Sequence, residues 1–188
     1  MYFDCIIAGF GGQGVMLMGN ILAYAAMAEK KHVTFMPVYG VEMRGGTANC
    51  TVVVSDKPIG SPIIHSPVSV IAMNRPSLEK FGPRVKKGGL LVANATLVPE
   101  EDVQNLKGLN IIMVPSRDLA LEAGDERLAN MVVLGAIMQK TGVMALKSLK
   151  KALYQALDPR YHQMISMNME AIEKGAEFLI KVSEGHKP

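Results

Sequence analysis

Apolar residues along the chain fall into short unbroken runs rather than into alternation. They occur at Phe3 to Ala8 (broken only by Asp4), Val33 to Val38, Cys50 to Val54 within Thr47 to Ser55, Val68 to Met73, Leu90 to Ala93 and Asn110 to Val114. Runs of this length bounded by Gly, Pro, Asn or Asp read as strands buried on both faces, the pattern of a mostly parallel sheet covered by helices. Val15 to Glu29 has helical length and is apolar on nearly every side: Val15, Met18, Leu22, Ala25 and Ala26 form one stripe, while Met16, Leu17 and Ile21 fill others. Such a helix is buried all round, either within a layered domain or under a partner. Shorter helical stretches are expected at Pro76 to Phe81 and Glu100 to Leu106. From Asp125 onward the pattern is helical only: Glu126 to Thr141 capped by Asp125 and stopped by Gly142, then Leu146 to Leu157, then Gln163 to Val182 with Ile165, Met169, Ile172, Ala176 and Leu179 as its stripe. The sequence thus predicts an α/β domain of three layers, Rossmann-like, with a mostly parallel sheet and a helical C-terminal section. No repeat or linker divides residues 1–188, so one domain is expected.

Composition narrows the function. With 49% hydrophobic and 20% charged residues the chain is globular. No apolar run reaches the ~18 residues of a membrane span, and Met1-Tyr2-Phe3-Asp4 lacks the basic start of a signal peptide, so a cytoplasmic protein without membrane contact is expected. A net charge of +3, scattered, with no aromatic residues interleaved among basic ones, gives no nucleic-acid platform. Cys5 and Cys50 are the two cysteines, each inside a predicted strand, and two thiols cannot ligate a four-cysteine cluster. The 14 methionines read as core filler or as adaptable contact surface for partner subunits.

Gly9-Phe10-Gly11-Gly12-Gln13-Gly14 sits between the first strand and the first helix, and Gly9, Gly11 and Gly14 fit the G-x-G-x-x-G spacing of dinucleotide loops. Glycine also serves a sharp turn and close helix–strand packing without any ligand. A dinucleotide site wants an acid at the end of the second strand to hold a ribose hydroxyl; here that strand runs into Pro37-Val38-Tyr39-Gly40 instead. A second candidate is the loop Tyr39-Gly40-Val41-Glu42-Met43-Arg44-Gly45-Gly46, in which Arg44 presents a planar fork suited to a carboxylate or phosphate, and Glu42 is near enough in sequence to pair with it instead. His32, His65, His162 and His186 show no metal spacing, and no nucleophile elbow, Walker loop or carboxylate pair stands out. A glycine turn and an Arg-Gly-Gly loop without a catalytic set suit a component of an assembly; the rival is a free-standing Rossmann-like nucleotide-binding module.

Ile6 to Val15, containing Gly-Phe-Gly-Gly-Gln-Gly, together with Tyr39 to Gly46, Val54 to Ile59, Ser61-Pro62, Gly88-Gly89, Asn130 to Gly135 and Asn168 to Gly175, resembles the gamma subunit of 2-oxoacid:ferredoxin oxidoreductases over almost the whole chain. The resemblance implies a subunit, inactive alone, of an enzyme that converts a 2-oxoacid and coenzyme A to acyl-CoA, carbon dioxide and reduced ferredoxin. It implies alpha, beta and delta partners that hold thiamine diphosphate, Mg2+ and the iron–sulfur clusters, with none bound by this chain and ferredoxin as acceptor. Phe10 and Gly46 make the sequence more similar to 2-oxoglutarate or branched-chain enzymes than to pyruvate enzymes. On this reading the expectation is that Gly11, Gly12, Gln13, Gly14, Tyr39, Gly40, Glu42, Arg44, Gly45 and Gly46 lie in loops on one edge of the sheet that face partner subunits or coenzyme A, with no catalytic residue.

Overall fold

The computed structural model describes residues 1–39 and 46–185. Six strands form one sheet: β1 (Tyr2–Phe10), β2 (His32–Tyr39), β3 (Thr47–Ser55), β4 (Ser69–Ala72), β5 (Leu90–Asn94) and β6 (Asn110–Val114), in the order β2-β3-β1-β4-β5-β6. Strands β1, β4, β5 and β6 are parallel neighbours, and only β3 runs against both of its neighbours. Five of the six strands therefore point the same way, and β2 and β3 form a hairpin added beside β1. The central parallel strands β1, β4 and β5 are buried on both faces, which is why they read as near-continuous apolar runs.

The described residues form seven α-helices packed in layers about the sheet: α1 (Val15–Ala28), α2 (Arg75–Phe81), α3 (Glu100–Val103), α4 (Ser116–Glu122), α5 (Ala129–Thr141), α6 (Leu146–Ala156) and α7 (Ile165–Ser183). One face carries the larger core, where Ile7, Cys50, Val52 and Ile71 meet Met18, Leu22, Met131, Leu134 and Ile137. The other face is closed by α2 and α3 over Ile6, Val70, Leu91 and Ala93, through Leu78, Phe81 and Val103. Helix α1 lies between the sheet and α6, so the first explanation of its all-round apolar surface holds, and only its last residues, Met27 and Ala28, are exposed.

Glycine sets two of the closest approaches. A Cβ on Gly19 of α1 would meet Phe35 and Cys50 at 2.5 and 2.6 Å, so this position lets the helix lie against β2 and β3. Helices α5 and α7 cross through a reciprocal pair: a Cβ on Gly135 would lie 2.7 Å from the carbonyl carbon of Ile172, and one on Gly175 would lie 2.8 Å from that of Val132, with the carbonyl oxygens nearer still. This is the packing reason for a glycine in the middle of each helix. The start of α6 is held from outside, by Glu29 just beyond α1, whose carboxylate accepts from the Ala145 N–H at 2.8 Å and the Ser148 hydroxyl at 2.7 Å. Lys31 pairs with the same carboxylate at 3.0 Å and donates to the Val143 carbonyl.

Two local readings change. Asp125 caps a 3₁₀ turn, Glu126–Leu128, by accepting from the Arg127 N–H at 2.9 Å, and α5 begins only at Ala129. Helix α4 was not expected: its seven residues are too few to show a period, and it is recognisable only by packing against α5 and α7.

Candidate functional site

The order of strands changes direction between β1 and β4. From β1 the chain crosses through α1 to β2 on one side, and the later strands are laid down on the other, so the carboxyl ends of β1 and β4 border the crevice where α/β sheets bind ligands. The glycine turn lies there. Gly12 and Gly14 have φ of 100° and 70°, values that side chains resist. Gly12 faces open space, whereas a Cβ on Gly14 would collide with the amide of Asn130 at the start of α5. Gly14 therefore answers two demands, and the starts of α1 and α5 meet at it.

Gln13 ties the turn down. Its Oε1 accepts from the Phe10 N–H at 2.7 Å and from the Asn74 amide at 2.8 Å, and its Nε2 donates to the Met73 carbonyl at 3.4 Å. Asn74 also caps α2 by accepting from the Ser77 N–H at 3.0 Å. Beside it, buried Asn94 donates to the same Met73 carbonyl at 3.3 Å and accepts from Ser116 at 2.7 Å and from the Thr96 N–H at 3.0 Å. The carboxyl ends of β1, β4, β5 and β6 are thus linked by one amide and hydroxyl network, whose members sit in fixed positions because every bond stops another from rotating.

Of the residues singled out in the sequence, Gly11, Gly12, Gln13, Gly14, Tyr39 and Gly46 come together at this end. Gly11 N donates to Gly46 O at 3.0 Å, the last pairing of β1 with the end of the second loop, and Tyr39 is 60% exposed beside them. Gly40, Glu42, Arg44 and Gly45 lie outside the described residues. Three clefts adjoin Gly12. One of about 280 Å3 is lined by Gln13, Met73, Asn94, Arg117 and Asn130; another of about 280 Å3 by Gly14, Leu17, Arg127, Tyr161 and Asn168; a third of about 320 Å3 by Phe10, Met16, Tyr39 and Ala48. Each is small for a whole cofactor, and together they suit an extended ligand or the side chains of a docked protein. A larger cleft, about 610 Å3 between α6 and α7, lies elsewhere and is lined mainly by polar groups such as Lys150, His162 and Glu173.

Sequence reasoning missed Asn94, Ser116, Arg117, Arg127 and Asn130 at this end. The available signal was an Asn directly after each of two apolar strands, Asn74 and Asn94, where a buried amide must find partners. Arg117 and Arg127 are already paired, with Glu126 at 2.8 Å and Asp125 at 2.5 Å. Hydrogen bonds from Arg127 hold the Asp125 carboxyl below its usual range.

The site has little chemistry of its own. Among the described residues no three of His, Cys, Asp and Glu are grouped to hold a metal ion. Burial pushes the Cys5 thiol up to about 12 and raises that of Cys50 as well; both sit in the core with their S–H groups turned to the carbonyls of Ile6 and Val15. These residues do not fit an iron–sulfur cluster, which needs accessible thiolates. Nor does the turn resemble a dinucleotide site in full: β3 separates β1 from β2, so the end of β2 lies two strand spacings, about 10 Å, from the glycine turn. No helix among the described residues is long and apolar enough to cross a membrane.

Residues 4–178 match the family model described as pyruvate ferredoxin/flavodoxin oxidoreductase. The ketoisovalerate oxidoreductase subunit VorA of Methanothermobacter marburgensis is 37% identical over 181 residues, covering 95% of this chain and 37% of that protein. This chain thus spans little more than a third of that relative. The 2-oxoglutarate synthase subunit KorC of the same organism is 32% identical over 186 residues, covering 96% of this chain and 97% of that subunit. The crystal structure of the keto/oxoacid ferredoxin oxidoreductase gamma subunit from Geobacter sulfurreducens superposes with a TM-score of 0.76 at 26% identity, covering 95% of this chain and 98% of that one.

Proposed function

The chain belongs to the pyruvate ferredoxin/flavodoxin oxidoreductase family, and on that premise we propose that it is the gamma-type component of a multi-subunit 2-oxoacid:ferredoxin oxidoreductase. The observation that carries the proposal is the end-to-end match with a relative that is itself named a subunit. The assembly oxidatively decarboxylates a 2-oxoacid with coenzyme A to acyl-CoA, carbon dioxide and reduced ferredoxin. The names of VorA and KorC support 2-oxoglutarate or a branched-chain acid as substrate, while other relatives are named for pyruvate as well as ketoisovalerate. Thiamine diphosphate, Mg2+ and the clusters supply the decarboxylation and electron transfer from alpha, beta and delta partners, and this chain contributes no catalytic residue.

Its own residues shape and present a surface. The Gln13–Asn74–Asn94 network fixes the carboxyl end of the sheet, and the exposed rim of Tyr39, Leu97 and Tyr161 gives that end apolar contact area. Gly12 leaves an open backbone at the centre, which a partner loop or coenzyme A can approach closely. Gly11 to Gly14 and Tyr39 to Gly46 form the subunit- or coenzyme A-facing loops in this proposal. Arg44 is the anion contact, to a partner carboxylate or a coenzyme A phosphate.

The test is anaerobic purification of the tagged chain from its native cells, followed by coenzyme A-dependent viologen reduction with pyruvate, 2-oxoglutarate and 2-oxoisovalerate. Co-purifying thiamine- and cluster-bearing chains with activity establish the subunit role and name the substrate. A chain recovered alone, and binding NAD(P) or FAD in calorimetry, overturns it in favour of a nucleotide-binding module.

A further inference from the structure

Cations and anions are not spread evenly over this domain. At the carboxyl end of the sheet the arginines among the described residues are paired: Arg75 with Glu79 and Asp102, Arg117 with Glu126, Arg127 with Asp125, and Arg160 with Asp158. At the amino end, below β5 and β6, the picture reverses. Helix α2 runs back from the carboxyl end of β4 and delivers Lys80 there; Arg84 follows in a 3₁₀ turn, Lys86 and Lys87 lead into β5, and Lys107 leads into β6. The two turns are joined, since Gly88 N donates to Gly108 O at 2.7 Å. None of these five cations takes part in an ion pair among the described residues.

The cluster is also built rather than loose. Arg84 is half-buried and donates to the carbonyls of Ile64 and His65 at 2.8 and 3.1 Å, which fixes its side chain against the 56–68 connection. Lys80 and Arg84 approach the ring of buried Phe81, with Nζ 5.3 Å and Cζ 5.4 Å from its centre. Lys80, Lys86, Lys87 and Lys107 are exposed around them. Five cations on one small end repel one another, which disfavours the free state and is relieved by an opposite charge.

We infer that this pole is an electrostatic docking face for a carboxylate-rich surface of another protein chain in the assembly, an inference that rests on the subunit reading above. The occupant follows by elimination on chemistry. Phe81 is buried, so the patch offers no exposed aromatic ring for a nucleic-acid base to stack on, and Ile63, exposed beside Ile64, is a single apolar side chain, too little to anchor in a lipid surface. A second copy of this chain fits less well, because Glu79, Asp102, Asp125, Glu126 and Asp158 of its opposite end are already paired with arginines, and a head-to-tail contact closes into a finite oligomer only if the rotation between copies permits it. Lysines on flexible stems around one fixed arginine suit a rim of Asp and Glu, with the main effect on association rate and salt dependence. The pole lies at the opposite end of the sheet from the glycine turn, so this chain would touch its assembly at two ends.

The complex purified with its partners tests this directly. Water-soluble carbodiimide joins lysine amines to carboxylates in contact, and sequencing of the linked peptides is expected to give Lys86, Lys87 or Lys107 bound to Asp or Glu of a different chain. The double variant Lys86→Glu, Lys87→Glu, whose side chains are exposed and unpaired, is expected to fold with unchanged Tm but to associate roughly tenfold more slowly at 50 mM salt, with the difference vanishing near 500 mM. An intact, active complex with no inter-chain link from these lysines and an unaltered salt profile overturns this inference alone. Nuclease-sensitive nucleic acid bound at the pole overturns it too. Failure of any chain to co-purify overturns both it and the subunit reading.

Discussion

Replacing Gly135 by Ala sets two physical effects against each other, and their sign discriminates between them. In an exposed helix the change would stabilise by about 1 kcal/mol through helix propensity. Here the new methyl would lie 2.7 Å from the Ile172 carbonyl carbon, against about 3.5–4 Å for an unstrained contact. The obstacle is backbone of the facing helix, which cannot rotate aside, so α5 and α7 must separate by about 1 Å along a crossing that buries Ile165, Ala171, Ile172, Ala176 and Leu179. Overpacking of this kind costs about 1–3 kcal/mol, and loosening the crossing adds lost contacts, for a net destabilisation of roughly 2–3 kcal/mol after the propensity gain. For a domain of this size that is a fall in Tm of roughly 4–12 °C. Thermal unfolding followed by circular dichroism, with urea titration for the free energy, measures it. Gly175→Ala should behave alike, and the double variant should lose less than the sum, because the first methyl already spreads the helices that the second would clash with. A Gly135→Ala protein as stable as the parent, or more so, would refute the close-crossing argument.

Glu29→Gln should destabilise by about 1–2 kcal/mol at pH 7, by weakening the bonds that hold the start of α6. Desolvation opposes ionisation of this carboxyl, but the Ala145 N–H, Ser148 and Lys31 outweigh it and lower its pKa. Its contribution is therefore present above the unfolded value near 4.3 and lost as pH falls through the folded one, so the urea midpoints of the two proteins should converge below about pH 4. Cys5 and Cys50 should resist a thiol reagent at pH 8 in the native chain and react fully in guanidinium, as the raised thiol pKa values and burial require; rapid native labelling would contradict their core position. Gln13→Leu should leave the chain folded within about 2 kcal/mol while lowering acyl-CoA production by the assembled enzyme, since it unties the glycine turn from Asn74; unchanged activity would remove Gln13 from the presenting surface. Arg44→Ala should lower complex formation or activity, and leaving both unchanged would eliminate Arg44 as an anion contact.

The layered α/β fold was legible because burial on both faces writes itself into a strand as an unbroken apolar run, as in Leu90 to Ala93. Strand direction was not, because the same residues are apolar whichever way β3 runs; its reversal is imposed by the short return from β2. Of the site, the glycine turn was visible as a local constraint on φ. What the turn is for depended on contacts distant in sequence, Gln13 with Asn74 at a separation of 61 residues and Gly14 with Asn130 at more than a hundred, which no local pattern encodes. The glycine in α5 was visible as an anomaly of propensity, and Ile172 supplied its reason only in three dimensions.

The open borders of the sheet bear on how the protein can be handled. On one side the border is β2, which carries Pro37 and so lacks a donor along its length; on the other it is β6, only five residues long. Both are poor templates for adding a further strand. Copies of this chain are therefore poorly suited to polymerise through their backbones, and in the assembly proposed above a copy made ahead of its partners would be spared that route to aggregation.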